Sequence, residues 1–330
     1  MMLEIDSEKT SDSNDKIKHH ISRNLSGLNE QSRNYIKDIV VLINKEIGIN
    51  KIVSLLLFGS QQEEKENTIV SDCDLLFIFK NRVSSRHIKE IERYFLALEI
   101  KHNFKEPSSS LIRDILSVIS QTTGMFVSHF LTRQKFWEEG IFYKIFQVNR
   151  VFSALFAPRN IVLGNVIQNS TILFGEDLRN ELRPKIKISF LEMIRSTVMN
   201  LFISFFALLI GPIKELNSIK YQLEAIKWSL KASNYYCYED SELLDKIVKR
   251  FISFEKPNKK LDAEKYFLRF LKLRQNPSND LKFMIYTPIR ILKIHVKAIL
   301  FRKLTRKKVS RKFFESKKQL PEKRHFPLTY

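Results

Sequence analysis

Two short groups of residues in this sequence have the types and spacing that phosphate chemistry uses. Phe58, Gly59 and Ser60 close the apolar run IVSLLLFGS, and Asp72, Cys73 and Asp74 stand at the start of another, SDCDLLFIF. Glycine lets backbone N–H groups approach a triphosphate closely, and the Ser60 hydroxyl is a small donor beside it. Alternate residues of a strand face one side, so Asp72 and Asp74 project together while Cys73 turns into the core. Two adjacent carboxylates repel each other unless a cation lies between them. Mg²⁺, or Mn²⁺ in its place, is a hard ion that takes oxygen donors and one or two protein carboxylates. Asp72 and Asp74 are therefore candidate metal ligands and catalytic residues, Gly59 and Ser60 candidate triphosphate contacts, and Ser71 a further hydroxyl. Either group alone is ordinary, as a strand-ending turn or a solvated strand edge. Their joint order and spacing carry the reading.

These residues need strands to hold them, and the pattern supplies both. IVSLLLFGS reads as a buried strand ending at Gly59, and SDCDLLFIF as a second. Ile36, Ile39, Val40, Ile43 and Ile47 predict an amphipathic helix over 31–48. Ser84 or Ser85 caps another helix with Ile88, Ile91, Phe95 and Leu98 on one face. Pro107 to Ser110 open a further helix, and MFVSHFL is a third strand. After about residue 185 strand signals vanish and long helical patterns follow, over 188–211, 217–235, 240–253 and 262–274. VMNLFISFFALLIGPI, apolar nearly all round, is read as a buried central helix, being shorter than the roughly 20 residues of a membrane span.

Length and composition fit about two globular domains: 330 residues, 44% hydrophobic and 28% charged. The two cysteines, Cys73 and Cys237, have no metal-ligand spacing. The first twenty residues lack an apolar pattern, and no basic head with an apolar stretch follows Met1, so a cytoplasmic protein is expected. The net charge is +20, and residues 281–330 hold fifteen Lys or Arg against Glu315 and Glu322.

The order of an apolar residue, Gly-Ser, about a dozen positions and Asp-apolar-Asp-apolar resembles the signature of the DNA polymerase β-like nucleotidyltransferase superfamily. Phe58, Gly59, Ser60, Asp72, Cys73, Asp74 and Leu75 carry it. ILFGEDL, Ile172 to Leu178, resembles a segment found late in small members of that superfamily. The resemblance implies transfer of a nucleoside monophosphate from a nucleoside triphosphate to RNA, protein or a small molecule, with pyrophosphate released. Gly59 and Ser60 would contact the triphosphate, and Asp72 and Asp74 would bind Mg²⁺. The expected architecture is α+β. A small mixed sheet with flanking helices over 31–184 follows a loose tail at 1–30 and precedes a helical domain at 185–280 and a basic C-terminal helix and tail at 281–330. The family's third carboxylate, on a later strand, has no counterpart in MFVSHFL, which offers Ser128 and His129. Glu99 is one candidate for that acid, and His129 one substitute. His129 is otherwise a hydrogen-bonded core residue, and the alternative function is a catalytically degenerate module that binds RNA, a partner protein or a membrane surface.

The C-terminal pattern bears on the acceptor. Ile289, Leu292, Val296, Ile299 and Leu300 form one apolar stripe, widened by Ile291, Ile294, Ala298 and Phe301, with Arg290, Lys293 and Lys297 outside it. Arg302, Lys303, Arg306, Lys307, Lys308, Arg311 and Lys312 follow. Such a helix can pack on the body, grip RNA phosphates, or lie at an anionic membrane surface. RNA is favoured by the basic tail, a partner protein by the resemblance to small antitoxin-like members, and a cationic aminoglycoside-like acceptor is disfavoured by charge.

Overall fold

The computed structural model describes residues 25, 27–59, 73–104, 122, 127–211, 218–240 and 242–318, with side chains as far as residue 305. In chain order the main elements are α1 (Glu30–Glu46), β1 (Ile52–Phe58), β2 (Asp74–Phe79), α2 (Ser85–Lys101) and β3 (His129–Arg133). Four short helices follow: α3 (Gln134–Glu138), α4 (Phe142–Ile145), α5 (Arg150–Leu155) and α6 (Arg159–Gln168). After β4 (Thr171–Gly175) and α7 (Arg179–Leu182) the described chain is helical: α8 (Phe190–Ile210), α9 (Ser218–Tyr238), α10 (Leu244–Ser253), α11 (Pro257–Gln275) and α12 (Leu281–Lys318). The protein is α+β, with a small mixed sheet and a helical C-terminal region.

The sheet order is β3-β2-β1-β4. β1 is central and antiparallel to both β2 and β4, whereas β3 runs parallel to β2 at the edge. Both sheet faces are covered, which explains why β1 and β2 read as continuous apolar runs. On one side Leu55, Leu57, Leu75, Phe77 and Phe79 pack with Tyr35, Ile36, Ile39 and Ile43 of α1 and with Ile88, Ile91 and Phe95 of α2. On the other, Val53, Leu56, Leu76, Ile78 and Phe130 pack with Trp137, Phe142, Ile145, Leu163 and Val166. Asn29 caps α1 by accepting from the Ser32 N–H at 2.8 Å, and Ser84 caps α2 by accepting from the His87 N–H at 3.2 Å. Leu25 is fully buried in the first of these cores, so the chain is packed before α1 begins.

Tight docking joins the sheet to the helices. A Cβ on Gly164 of α6 would lie 1.9 Å from the Tyr235 hydroxyl of α9, so this helix pair approaches only over a glycine. Glu192, near the start of α8, accepts from the Asn160 N–H of α6 at 3.0 Å.

Within the helical region α8, α9 and α12 pack against one another. Their core is apolar but threaded with bonded polar groups. His295 Nε2 pairs with the Asn200 amide at 3.1 Å, and His295 Nδ1 lies 2.9 Å from the Tyr236 hydroxyl and 3.3 Å from that of Ser233. Pro288 sits inside α12 and has no N–H to give the Met284 carbonyl one turn back. Gln222 of α9 fills that role, donating from Nε2 to Met284 O at 2.8 Å and to Ser204 Oγ of α8 at 2.7 Å.

Two expectations about these helices are corrected. Helix α8 is only half a core helix: Ile203, Ser204 and Ala207 are buried, but Phe202, Phe205 and Leu209 face outward. In α12 the residues packed on the body are Ile291, Ile294, His295 and Ala298, and the stripe through Ile289, Leu292, Val296 and Leu300 is exposed. Both stripes have helical spacing, and periodicity alone does not say which one faces in.

Candidate active site

Strand β1 delivers Gly59 at its end, and the antiparallel pairing sets Phe58 opposite Asp74, the first residue of β2. Gly59 has φ +80°, in the left-handed region. A Cβ there would lie 1.9 Å from Asp74 Oδ2 and 2.9 Å from its Cγ. The carboxylate can sit there because residue 59 has no side chain. Asp74 is half-buried, while Cys73 before it is fully buried among the apolar residues on the α1 and α2 side. Gly59 and Asp74 are thus brought together. Ser60, Ser71 and Asp72 lie outside the described residues, as do the segment 61–70 and the helix expected after Pro107.

Behind Asp74 is a buried polar cluster. β3 pairs Leu75 with His129, and the Leu75 N–H donates to Ser128 O at 2.7 Å, which brings Ser128 level with Asp74. The Ser128 hydroxyl donates to the Glu99 carboxylate, and His129 Nδ1 lies 2.8 Å from the same Glu99 oxygen. Glu99 is 4% exposed and His129 8%, and the His129 ring packs on Phe95 with centroids 4.7 Å apart. Burial raises the Glu92 carboxyl above its usual range against the opposing effect of His129. Burial likewise pushes the Tyr35 hydroxyl well above its ordinary value, with the charges of Glu99, Cys73 and Asp74 adding to the effect.

Glu99 and His129 therefore act as a pair. An acid does stand near the head of β3, on α2 and linked through Ser128, where reading β3 by itself finds only Ser and His. Tyr35 was not singled out from sequence. It precedes Ile36 in the apolar stripe of α1, and a tyrosine in that register was the available signal.

The site offers hard oxygen donors, which suit Mg²⁺ in kind. The Asp74 carboxylate packs directly on the Gly59 backbone, its Oδ2 lying where a side chain on residue 59 would begin. Among the described residues no group of three or more His, Cys, Asp or Glu is arranged to hold a metal.

No protein-family model matches the chain, and no curated protein matches it. Among solved structures it is similar to spectinomycin adenyltransferase AAD(9) from Enterococcus faecialis, a crystal structure with ATP and spectinomycin. The identity is 11%, the match covers 80% of this chain and 98% of that one, and the TM-score is 0.45. A likeness at that level assigns neither activity nor substrate.

Proposed function

We propose that the protein is a nucleotidyltransferase that moves a nucleoside monophosphate from a nucleoside triphosphate to an RNA or protein acceptor and releases pyrophosphate. The observation that carries this reading is the seating of the Asp74 carboxylate against Gly59, at the mouth of two antiparallel strands. Gly59 supplies backbone that can approach a phosphate, Ser60 a hydroxyl donor, and Ser71 a second one. Asp72 and Asp74 would hold Mg²⁺, which when bound neutralises triphosphate charge and polarises the phosphoryl group under attack. The acceptor oxygen forms its bond to the α-phosphorus as the bond to the pyrophosphate oxygen breaks. Glu99, tied to Ser128 and His129, fixes the head of β3 beside Asp74 and places a carboxylate behind it.

The test is incubation of the full chain with α-labelled ATP, CTP, GTP or UTP, Mg²⁺ or Mn²⁺, and total cellular RNA and protein, with Asp74→Asn as the control. Label passing to a macromolecule in the wild type alone supports the transferase and identifies the acceptor class. Equal transfer by Asp74→Asn removes Asp74 from the mechanism.

A second reading, a degenerate module that binds nucleotide without turnover, is favoured by one observation. The residue of β3's approach level with Asp74 is Ser128 and not an acid, while the resembled family usually has a third carboxylate on a later strand. Nucleotide binding without label transfer in the same assay would select this reading.

A further inference from the structure

Helices α8 and α12 pack together antiparallel. Asn200 meets His295, and eleven residues later, at the C-terminal cap of α8, a Cβ on Gly211 would stand 3.8 Å from Met284, eleven residues earlier in α12. Each helix carries an outward apolar stripe along this length. In α8 the stripe is Val198, Phe202, Phe205 and Leu209, from 45% to 78% exposed. In α12 it is Ile289, Leu292, Val296 and Leu300, from 45% to 55% exposed. Between them Leu201, Leu208 and Ile299 are partly buried against the helical core, so apolar surface continues across the seam. Scattered exposed leucines need no explanation, but a two-helix apolar face is an interaction surface.

Charge identifies the occupant. From 281 to 318 α12 carries thirteen Lys or Arg and one acid, Glu315. Lys282, Lys293 and Lys303 are exposed on the same helix as the apolar stripe. A second copy would bring the same cations against these and be repelled. RNA phosphates would satisfy the cations and leave the apolar stripes in water. A surface that is apolar beneath and anionic at its boundary satisfies both. We infer that the α8–α12 face docks on an anionic lipid bilayer, both helices lying in the plane of the interface.

Helix α8 has the length and apolar content of a membrane span. Its inner face, however, carries Asn200 and Ser204 bonded to α12 and α9, and half of its apolar window is buried in the protein. Spanning would strip those bonds, whereas lying in the interface keeps them. The contact does not depend on the transferase reading.

The test is flotation of the full chain with vesicles of phosphatidylcholine alone and of phosphatidylcholine with phosphatidylglycerol. The protein should float with the phosphatidylglycerol vesicles only, less so as salt rises. The double variant Phe202→Asp, Leu209→Asp should lower the bound fraction about tenfold or more. Both positions are exposed, so its melting temperature and far-UV circular dichroism should match the wild type. A second variant, Lys293→Glu with Lys303→Glu, should lower binding to anionic vesicles without touching the stripes. No flotation, equal flotation with neutral vesicles, or unchanged flotation of both variants overturns the inference. So does a concentration-dependent dimer, by sedimentation velocity, that Phe202→Asp, Leu209→Asp dissociates, or retention by RNA with none by anionic vesicles.

Discussion

At position 59 two demands coincide: a left-handed backbone and the close approach of the Asp74 carboxylate, which takes the space of a Cβ. Alanine meets neither. Gly59→Ala should cost about 1–2 kcal/mol from the backbone alone, read as a lowered denaturation midpoint. It should also push the Asp74 side chain from its seat. If Asp74 does the chemistry, transfer of label falls far more steeply than that stability loss accounts for, and titration of Mg²⁺ shows weakened dependence at unchanged fold. A variant that loses stability but retains full transfer would separate the glycine's backbone role from the site. Glu99 shows the same interplay of fold and chemistry. A carboxylate 4% exposed survives burial only with donors at hand, and Ser128 and His129 provide them.

At the scale of elements, the strands carrying Gly59 and Asp74 were legible because both are buried on both faces and end in turn residues. Strand β4 was not identified as a strand from sequence: Thr171 to Gly175 is five residues with mixed burial, and its place beside β1 depends on long-range pairing. The orientation of α12 was likewise hidden, since Ile291–Ile294–Ala298 and Ile289–Leu292–Val296 are equally periodic. Pro288 with its replacement donor Gln222, and His295 with its partners Ser233 and Tyr236, show which side faces α9. Gln222→Leu should cost about 1–3 kcal/mol, by leaving the Met284 carbonyl buried without its donor. Pro288→Ala restores an N–H that can bond this carbonyl within the helix. In a double-mutant cycle read by urea denaturation, Gln222→Leu should therefore be much less harmful in the Pro288→Ala background. Equal cost in both backgrounds would mean that Gln222 acts through Ser204 alone.

For the molecule as a whole, stability depends on a histidine that is kept uncharged. Burial pushes His295 down to about 3 from its ordinary 6.5. Between those two values the unfolded chain binds a proton that the folded chain refuses, so stability falls as pH drops below about 6.5 and is independent of this group above it. His295→Gln keeps a polar partner for Asn200 and Tyr236 but does not titrate. Between pH 7.5 and pH 5 the wild type should lose about 2 kcal/mol more than this variant, measured by denaturant unfolding. Matching pH profiles would remove His295 as the cause. The same histidine also ties the protein to the order in which it is made. Asn200, Ser233 and Tyr236 leave the ribosome long before His295 does, and until α12 arrives they and the apolar core around them have no lid. Nascent chains that end before residue 295 should therefore be cut by protease far more readily than the full chain, because the last described helix is what closes this core.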